Sequence, residues 1–452
     1  MTEPSMIQSE REEILQLIAD NNLTDLQNKL SAVHPADIAD LLDDLPTEDA
    51  VRLFELLPIE VASEVLDETG SLVRQELVER VDDERLADLL DDLPMDDAAE
   101  FLEDLPDDVS DRLIELMEPE EAAEVQELLA YEEETAGRLM NRDVAALRRI
   151  WTVAETFNYL RSLEDAETLH YLYVVDRDDC LLGVVPLRHL IMAQPDQTVE
   201  SIMSRGEVAS ISVTADQEEL AEMVSRYDFF VMPVVDDNNR LLGVITVDDV
   251  LDIVEEEATE DIQRLGGSEP LHQPYFSASI WQVFRKRVGW LLLLFIAATF
   301  TGTVLNIFQD ELTAAITLSL FIPLIIGTGG NAGSQTVATI IRAITLDEVR
   351  LSSVTYAWRR EVSVGFLLGL VMGIIGLVRA LLWGTGVDVA FVVALTLPAV
   401  VIWSTTIATI VPTIADRVNI DPAVISGPMI STIVDTTGLL IYFLLAKQLL
   451  GI

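Results

Sequence analysis

Cysteine, histidine and basic residues are scarce in this sequence of 452 residues, and each scarcity argues against a class of function. Cys180 is the single cysteine, so neither a disulfide nor a thiolate zinc site can form within one chain. The four histidines are scattered, and the sequence contains no Ser-His-Asp arrangement, P-loop or metal-binding histidine pair, so we do not expect an enzyme. With 78 acidic and only 28 basic residues, the chain would be repelled by the phosphates of a nucleic acid.

The acidic residues are concentrated in one half of the chain. Residues 1–280 contain 69 of the 78 acidic and 18 of the 28 basic residues, and the sequence from Trp281 onward is nearly neutral and strongly apolar. A dense acidic surface favours cations as ligands, or it reflects a salt-rich cytoplasm, and ordinary solvation accounts for most individual carboxylates. The first thirty residues are polar and acidic, so we expect no signal peptide.

Residues 1–135 contain short repeated helical units. The octet ADLLDDLP occurs at 39–46 and again at 87–94, and Leu-Pro pairs recur near a twelve-residue spacing. Each unit supplies a helix breaker, an acidic first turn that suits the helix dipole, and apolar residues at helical spacing. Residues 1–135 are therefore predicted to form an all-α helical-repeat domain whose units stack on one another.

A second repeat follows in residues 136–254, with copies at about 136–200 and 201–254. The segments Val174–Asp176 and Leu181–Val184 recur sixty residues later, and each copy reads as two strands followed by a helix. The sequence PVVDDNNRLLGVITVDDVL in the second copy resembles a cystathionine-β-synthase (CBS) domain. The resemblance implies an α/β tandem CBS pair that binds an adenosyl ligand. Thr246 and Asp249 match the family's ribose-binding positions, whereas Pro186 and His189 occupy them in the first copy.

Residues 255–280 are predicted to form an acidic connecting helix and a hinge at Gly266-Gly267. Helical spacing places Asp249, Asp252, Glu256 and Glu260 along one face of this helix. Like charges at that spacing destabilise a helix, and a hard divalent cation with oxygen ligands would remove the repulsion.

Residues 281–452 contain five apolar segments, near 288–308, 313–341, 362–383, 387–415 and 423–450, each long enough to cross a bilayer. The clusters Arg285–Arg287, Arg342–Arg360 and Arg417 all fall on one side if the spans alternate. The positive-inside rule then predicts a multi-pass protein of the cell membrane, with a cytoplasmic N-terminal half and an external C-terminus.

Polar residues inside these spans indicate an ion pathway. The stretch Pro323–Gln335, PLIIGTGGNAGSQ, places four glycines, Asn331 and Gln335 within an apolar run. Its glycines allow helices to approach closely or expose carbonyl oxygens. Asp435 stands in the middle of the last span and either faces water and binds a cation or pairs with Arg379. The available ligands are oxygen atoms, which suit a hydrated magnesium ion and argue against zinc or copper.

The order of these segments, together with PxxxGxxGNxGxQ at Pro323–Gln335 and the motif from Asp421 to Gly438, resembles the MgtE family of magnesium channels. The resemblance implies a homodimer in membrane lipid with the pore on its two-fold axis, Asp435 as the pore carboxylate and Asn331 beside it. Gly427 precedes Pro428 where some members have Asn, so the filter is expected to differ there.

The resemblance also implies sensing sites for magnesium in the soluble half. By local motif the implied metal ligands are Asp435, Asn331, Asp421, Glu64, Asp96, Glu100, Asp216, Glu218, Asp228, Asp249, Asp252, Glu257, Glu260 and Asp261, with Asp97 less certain. The implied contacts of an adenine nucleotide such as ATP are Tyr171, Arg188, Phe229, Thr246 and Asp249.

The function implied is magnesium influx that stops when cytosolic magnesium binds between the acidic soluble domains. At low magnesium these domains repel one another and the pore opens. The alternatives are a CBS-regulated transporter of Mn²⁺ or Co²⁺, a nucleotide-gated anion channel, and a membrane-bound metal sensor without transport. The predicted fold class is a multi-domain membrane protein with an all-α domain, an α/β CBS pair, a connecting helix and a five-helix transmembrane domain.

Overall fold

The computed structural model describes residues 8–451 apart from 20–22, 31, 164–168, 205, 207, 272–274, 276–277, 347, 351 and 419. The chain divides into two compact units, Met1–Glu257 and Ala258–Ile452. The predicted fold class is confirmed, because the first unit contains a helical domain followed by a CBS pair and the second contains five helices long and apolar enough to cross a membrane.

The described part of the helical domain contains ten short helices, and four of them begin directly after a proline. Pro46, Pro58, Pro94 and Pro106 each stand directly before a helix, and their fixed φ ends one helix and prepares the next. Apolar residues of nearly every helix join one buried core. The helices are α1 Gln8–Ala19, α2 Leu23–Leu30, α3 Pro35–Asp44, α4 Thr47–Phe54, α5 Ile59–Glu68, α6 Ser71–Arg80, α7 Asp83–Leu90, α8 Met95–Glu103, α9 Asp107–Leu116 and α10 Pro119–Leu129.

The two CBS copies have the same strand arrangement. Strands β1 Ala146–Arg148, β2 Tyr171–Val175 and β3 Leu181–Pro186 form one sheet, and β4 Ile211–Ser212, β5 Val231–Val235 and β6 Leu241–Thr246 form the other. In each sheet the first pair is parallel and the second antiparallel. The sixty-residue offset holds for β2 against β5 and for β3 against β6. Helices α11 Val153–Leu160, α12 Leu187–Met192, α13 Val199–Ile202 and α14 Gln217–Tyr227 complete the pair.

Reciprocal hydrogen bonds join the two copies. The amide of Leu181 donates to the carbonyl of Asn239 at 2.9 Å, and the amide of Leu241 donates to the carbonyl of Asp179 at 3.0 Å. Asp179 and Asn239 both adopt a φ of 62°, which these two residue types tolerate better than most. The second copy also shares the buried core of the helical domain through Met232, among others, so the first unit is packed continuously across that boundary.

Helix α15, Val247–Leu265, is the predicted connecting helix and begins directly at the end of β6. The membrane part contains α16 Ile280–Ile307, the short α17 Gln309–Ala314, a 3₁₀ turn at Ile316–Phe321, α18 Ile322–Thr345, α19 Val354–Leu382, α20 Val387–Arg417, a second 3₁₀ turn at Pro422–Val424 and α21 Gly427–Leu450. The predicted number of spans is thus confirmed. The spans differ in burial, since half of the most apolar window of α20 is buried but only 6% of that of α16.

Glycines allow the membrane helices to pack at short distance. A Cβ atom at Gly369 of α19 would lie 2.6 Å from the backbone Cα of Pro398 in α20, and one at Gly373 would lie 2.6 Å from the carbonyl oxygen of Ala394. Backbone atoms cannot rotate away as a side chain can, so only glycine fits at these two positions without moving a helix.

Replacing Gly369 by alanine should lower the thermal unfolding midpoint of the detergent-solubilised chain by several degrees. The added methyl group overlaps the backbone of α20, and overpacking of this kind costs about 1–3 kcal/mol. Gly302→Ala is the matched control, because a Cβ there meets no other atom within 4 Å and the intrinsic helix propensity of alanine is higher. Equal midpoints for the two variants would contradict the packing shown for α19 and α20.

Candidate ion pathway and acidic sites

The glycine-rich stretch 323–335 forms an uninterrupted helix. Pro323 stands in the first turn of α18, where a missing amide hydrogen costs nothing, and the four glycines that follow remain helical. Their role is close packing: a Cβ at Gly329 would lie 2.7 Å from Val400, and one at Gly333 would lie 2.6 Å from the hydroxyl of Ser404. Ser404 donates a 2.6 Å hydrogen bond to the carbonyl of Gly329, so at least one glycine carbonyl is already engaged.

Asp435 of α21 lies against this stretch. A Cβ atom at Gly330 would lie 3.7 Å from its Oδ1 and 3.0 Å from the hydroxyl of Ser431. One turn away, the hydroxyls of Ser334 and Ser431 are 3.3 Å apart. The contact line between α18 and α21 therefore contains a carboxylate and two hydroxyls, which are the oxygen ligands expected for a hard cation or its water shell.

The ion pair between Asp435 and Arg379, which is the alternative prediction for Asp435, does not form. The guanidinium of Arg379 lies over the ring of Trp383, 4.2 Å from its centroid. Among the residues that the structure describes, no lysine or arginine forms an ion pair with Asp435. A half-buried carboxylate in a membrane helix with no cation of its own has the electrostatic character of a cation site.

Asn331 and Gln335 lie on an exposed side of α18, next to buried residues of the same helix. Asn331 directly follows Gly330, the residue that Asp435 approaches. Among the described residues of one chain, no side chain forms a hydrogen bond with the side-chain amide of Asn331. Its predicted role as a ligand beside Asp435 stays a prediction.

Three carboxylates of the soluble unit meet at one point. Oxygen atoms of Asp96, Asp97 and Asp249 all lie within 4.8 Å of one another, and each side chain is partly buried. Asp96 and Asp97 are in the first turn of α8, and Asp249 is in the first turn of α15. Within the described residues no other three acidic, histidine or cysteine side chains meet this spacing. An all-carboxylate group of this kind fits Mg²⁺ or Ca²⁺.

Neighbouring dipoles fix two members of the cluster. The side-chain amide of Asn141 donates to Asp96 Oδ1 at 3.0 Å. The backbone amide and the hydroxyl of Thr246 donate to Asp249 Oδ2 at 3.0 and 2.7 Å. Hydrogen bonds thus fix one oxygen of Asp96 and one oxygen of Asp249 in place. Thr246 and Asp249, both predicted ribose contacts, bind each other, so Asp249 is shared between the two predicted roles.

Burial and the repulsion between neighbouring carboxylates both disfavour the charged forms of the acidic side chains in this cluster. Burial, followed by repulsion from Asp96 and Asp67, raises the pKa of Asp97 well above its usual range. Burial and repulsion from Asp67 raise the pKa of Glu100 to about 7, and the nearby Arg74 offsets only part of this. The pKa of Asp249 is also raised, with burial as its main cause. A divalent cation would relieve this repulsion.

Asp67 is a member of this acidic group that sequence reasoning missed. Its side chain still reaches solvent, yet the protein atoms crowded around the carboxyl group raise its pKa, and Glu68, Asp252 and Asp249 add repulsion. A signal was present: Asp67 and Glu68 are in the last turn of α5, where the helix dipole disfavours negative charge. Glu64, the residue predicted on α5, is exposed and lies outside the three-carboxylate group.

A second acidic group surrounds the start of α14. Asp216 caps this helix by accepting the amide of Glu218 at 2.9 Å. Gln217 donates to the Oε1 of Glu257 at 2.8 Å, which brings α15 beside that helix end. Three predicted ligands are thus neighbours, although their oxygens do not meet the spacing found at Asp96. Asp228 ends α14 with a φ of 54° and is exposed, and Asp252 is exposed on α15.

Glu260, Asp261 and Asp421 form a third acidic group, and it already contains a cation. The guanidinium of Arg264 pairs with Glu260 one turn earlier in α15 and with Asp421 before the last span. Burial and the charge of Asp421 raise the pKa of Asp261, which Arg264 partly offsets. Asp421 also accepts the amide of Ala423 at 2.7 Å. Sequence reasoning did not foresee that an arginine side chain would occupy this position.

The predicted nucleotide contacts lie near the meeting line of the CBS copies. The hydroxyl of Tyr173 donates to the carbonyl of Val231 at 3.2 Å, and Tyr171 and Phe229 are each two residues from this contact. Phe229 stacks on Tyr227 at 5.6 Å between centroids, and Arg188 is exposed. Aromatic faces, a guanidinium and the Thr246–Asp249 pair suit the base, phosphates and ribose of an adenine nucleotide.

The fold and these sites define a class: a membrane transport protein with five spans, with oxygen ligands between two of them, and with a soluble half that carries acidic sites and a CBS pair. Family models give the same arrangement. A divalent cation transporter model, MgtE, matches residues 322–445, the MgtE intracellular N domain matches 33–134, and CBS domains match 136–196 and 199–256. The chain belongs to the MgtE family.

Relatives of known name match nearly the whole chain. The magnesium transporter MgtE of Thermus thermophilus is 37% identical over 429 residues, with 94% of this chain and 95% of the relative covered. The magnesium transporter MgtE of Bacillus subtilis is 30% identical over 431 residues, with 95% of each covered. A solved cytosolic domain of the Mg²⁺ channel MgtE in complex with ATP matches 54% of this chain and 99% of its own, with 37% identity and a TM-score of 0.52.

Proposed function

We propose that this chain is a magnesium channel that carries Mg²⁺ into the cell through a pore lined by Asp435. The carrying observation is the Asp435 carboxylate, which lies mid-span against Gly330 with no ion-pair partner among the described residues. Family membership and the magnesium transporter names of relatives covering over 90% of the chain support magnesium as the cargo. The inside-negative potential drives entry with about 2.3 kcal/mol per elementary charge per 100 mV.

Flux of Mg²⁺ into liposomes that contain the purified chain tests this function. We expect magnesium entry that an inside-negative potential accelerates and that external Mn²⁺ or Co²⁺ inhibits only weakly. Entry of chloride without magnesium would support the anion-channel alternative. Absence of any flux from folded protein would support a sensor without transport, and preferred entry of Mn²⁺ or Co²⁺ would replace magnesium as the cargo.

The proposed regulation is closure by internal magnesium at the acidic sites of the soluble half. Asp96, Asp97 and Asp249 come from two elements, α8 and α15, so an ion that binds all three joins the helical domain to the start of the connecting helix. Two carboxylates at about 4 Å repel by about 4 kcal/mol at an effective dielectric near 20. Several such contacts are sufficient to separate two functional states by a few kcal/mol.

The proposed assembly is a homodimer in membrane lipid, with the soluble half in the cytoplasm and the C-terminus outside. The exposed side of α18 that carries Asn331 and the weakly buried α16 leave surface for a second copy and for lipid. Placement of Arg285–Arg287, Arg359–Arg360 and Arg417 on one side supports the orientation. An adenine nucleotide at Tyr171, Phe229 and Thr246 is proposed as a further ligand, since a related cytosolic domain was solved with ATP.

Replacing Arg264 by glutamine should raise the internal magnesium concentration needed for half-closure about three- to tenfold. The guanidinium pairs with Glu260 and Asp421, and we propose that these pairs stabilise the closed state, so that more magnesium is needed for closure when they are lost. Such a partly buried pair is worth about 1 kcal/mol, which is a factor of about five. The measurement is magnesium efflux block in inside-out vesicles. Arg226→Gln, which removes an exposed helix pair with Glu222, is the control and should leave closure unchanged. Identical curves for both variants would contradict the role of Arg264.

A further inference from the structure

A cavity of about 220 Å³ lies where the first span begins. Gln263 of the connecting helix, Ser268 and Glu269 of the hinge, and Tyr275, Lys286 and Arg287 around the start of α16 line it together with two apolar residues. We propose that this cavity binds the headgroup of an anionic phospholipid. The inference concerns a ligand outside the transport path and extends the proposed function without depending on it.

The charge of the cavity favours an anionic group. Lys286 and Arg287 contribute two positive charges and Glu269 one negative charge. Neither basic side chain forms an ion pair within the described part of the chain, whereas Arg264 and Lys447 of the same unit both do. Arg285, which is exposed, adds a third positive charge directly beside them. Each basic residue near an anionic leaflet contributes about 1 kcal/mol of attraction.

The surroundings are those of a membrane interface. Lys286 and Arg287 directly precede the apolar run of α16, in which the side chains of Leu291, Leu292 and Phe295 are 57–71% exposed. Trp281 stacks on Phe284 at 5.1 Å between centroids, and both rings are exposed one turn before the basic residues. Aromatic rings of this kind settle at the headgroup level. A lipid whose headgroup enters the cavity can therefore lay its acyl chains along α16.

The size of the cavity distinguishes a headgroup from larger anions. Sites for drug-sized ligands have volumes of roughly 300–1,000 Å³, and this cavity is smaller. A phosphate with a short glycerol group suits the smaller volume better than a nucleotide does. The side-chain amide of Gln263 adds a neutral hydrogen-bonding group to the lining.

A bound headgroup would join the connecting helix to the first span. Gln263 already holds the hinge, because its side chain accepts the amide of Leu271 at 2.9 Å and its carbonyl accepts the hydroxyl of Ser268 at 3.1 Å. The amide of Glu269 donates to the carbonyl of Lys286 at 3.0 Å. An anionic lipid in the cavity thus stabilises one arrangement of the hinge. The conformation of the hinge at the end of α15 then depends on the lipid composition of the bilayer.

The test is lipid binding by the full chain, measured by native mass spectrometry with phosphatidylglycerol and with phosphatidylcholine. Lys286→Gln/Arg287→Gln should weaken phosphatidylglycerol binding at the tightest site at least about tenfold and leave phosphatidylcholine binding unchanged. Lys286→Arg/Arg287→Lys keeps both charges and should retain binding. Because no flux is measured, failure here leaves the proposed channel function intact, and failure of transport leaves this site intact.

Arg359→Gln/Arg360→Gln is the matched control, since it removes two exposed positive charges at the corresponding end of α19, away from the cavity lining. Equal losses in the two glutamine pairs would show attraction by general charge and overturn the site. Inorganic phosphate that displaces the lipid at equal concentration would assign the cavity to a free anion and also overturn the lipid proposal.

Discussion

Replacing Asp435 by asparagine should reduce magnesium flux into liposomes at least about tenfold, with the protein still folded. The substitution keeps the size of the side chain, and Oδ1 remains beside Gly330, so packing against α18 is preserved. The charge is lost. A unit charge about 4 Å from a unit charge contributes about 4 kcal/mol at an effective dielectric near 20, and a divalent ion doubles that attraction. If the ion loses only a third of the attraction of about 4 kcal/mol, the barrier to its passage rises enough to slow the flux about tenfold.

The control for this prediction is Asp388→Asn. Asp388 is in the first turn of α20 and exposed, at the end of the membrane helices opposite the basic clusters. Its replacement changes the net charge equally, so any effect of overall potential is shared. We expect flux close to that of the unaltered chain. Unchanged flux in Asp435→Asn, measured in the same liposomes, would remove Asp435 from the ion pathway and with it the principal support for a cation pore.

The membrane half shows what a sequence can predict and where it stops. Apolar length is a local property, so five spans and their approximate bounds could be read directly. Which role the glycines of α18 play depends on the neighbouring helix, because glycine permits either close packing or an exposed backbone. The short contacts of Gly329 and Gly333 with α20 and α21 show that these two glycines serve close helix packing. The partner of Arg379 is likewise tertiary, and it is Trp383.

The soluble half shows the same limit for charged residues. Sixty-residue periodicity predicts matching strands, and the structure places β5 and β6 at that offset from β2 and β3. Motif resemblance found Asp96 and Asp249, which the fold brings together although they are far apart in sequence. Asp67 and Arg264 belong to no quoted motif, and their importance follows from which charges surround them in space. In a chain with 78 acidic residues, the sequence does not single out a carboxylate that belongs to no recognisable motif.

Replacing both Asp97 and Asp249 by asparagine should make the magnesium-free chain more stable and its response to magnesium much weaker. Burial, and after it repulsion from neighbouring carboxylates, disfavours the charged forms of Asp97 and Asp249 and raises the pKa of both. At pH 9, near the raised pKa of Asp97, removal of these charges from the cluster is expected to raise the unfolding midpoint of the soluble unit by about 3–6 °C without magnesium, which corresponds to about 1–2 kcal/mol. Most surface substitutions have smaller effects.

The dependence of stability on pH should also differ between the unaltered chain and the double variant. The pKa of Glu100 is raised to about 7, and that of Asp97 is raised further above its usual range. A group with a raised folded-state pKa contributes stability below its unfolded pKa and loses that contribution as the pH rises through the folded value. Without magnesium, the unaltered chain should therefore lose stability as the pH rises from about 5 through the raised pKa values, about 7 for Glu100 and about 9 for Asp97. The double variant should lose less, because two of the repelling charges are absent at every pH.

Magnesium reverses the order of the two proteins. An ion that binds the folded state stabilises it by RT ln(1 + [Mg²⁺]/Kd), about 2.7 kcal/mol at a hundredfold excess over Kd. The unaltered chain gains this energy and the double variant, with one carboxylate of the three remaining, does not. Unfolding midpoints with and without magnesium should thus cross between the two proteins. Asp107→Asn/Asp108→Asn removes two exposed charges from the favourable first turn of α9, so it should slightly destabilise the chain and leave the magnesium response whole. A double variant that still gains full stability from magnesium would show that the regulatory ion binds elsewhere.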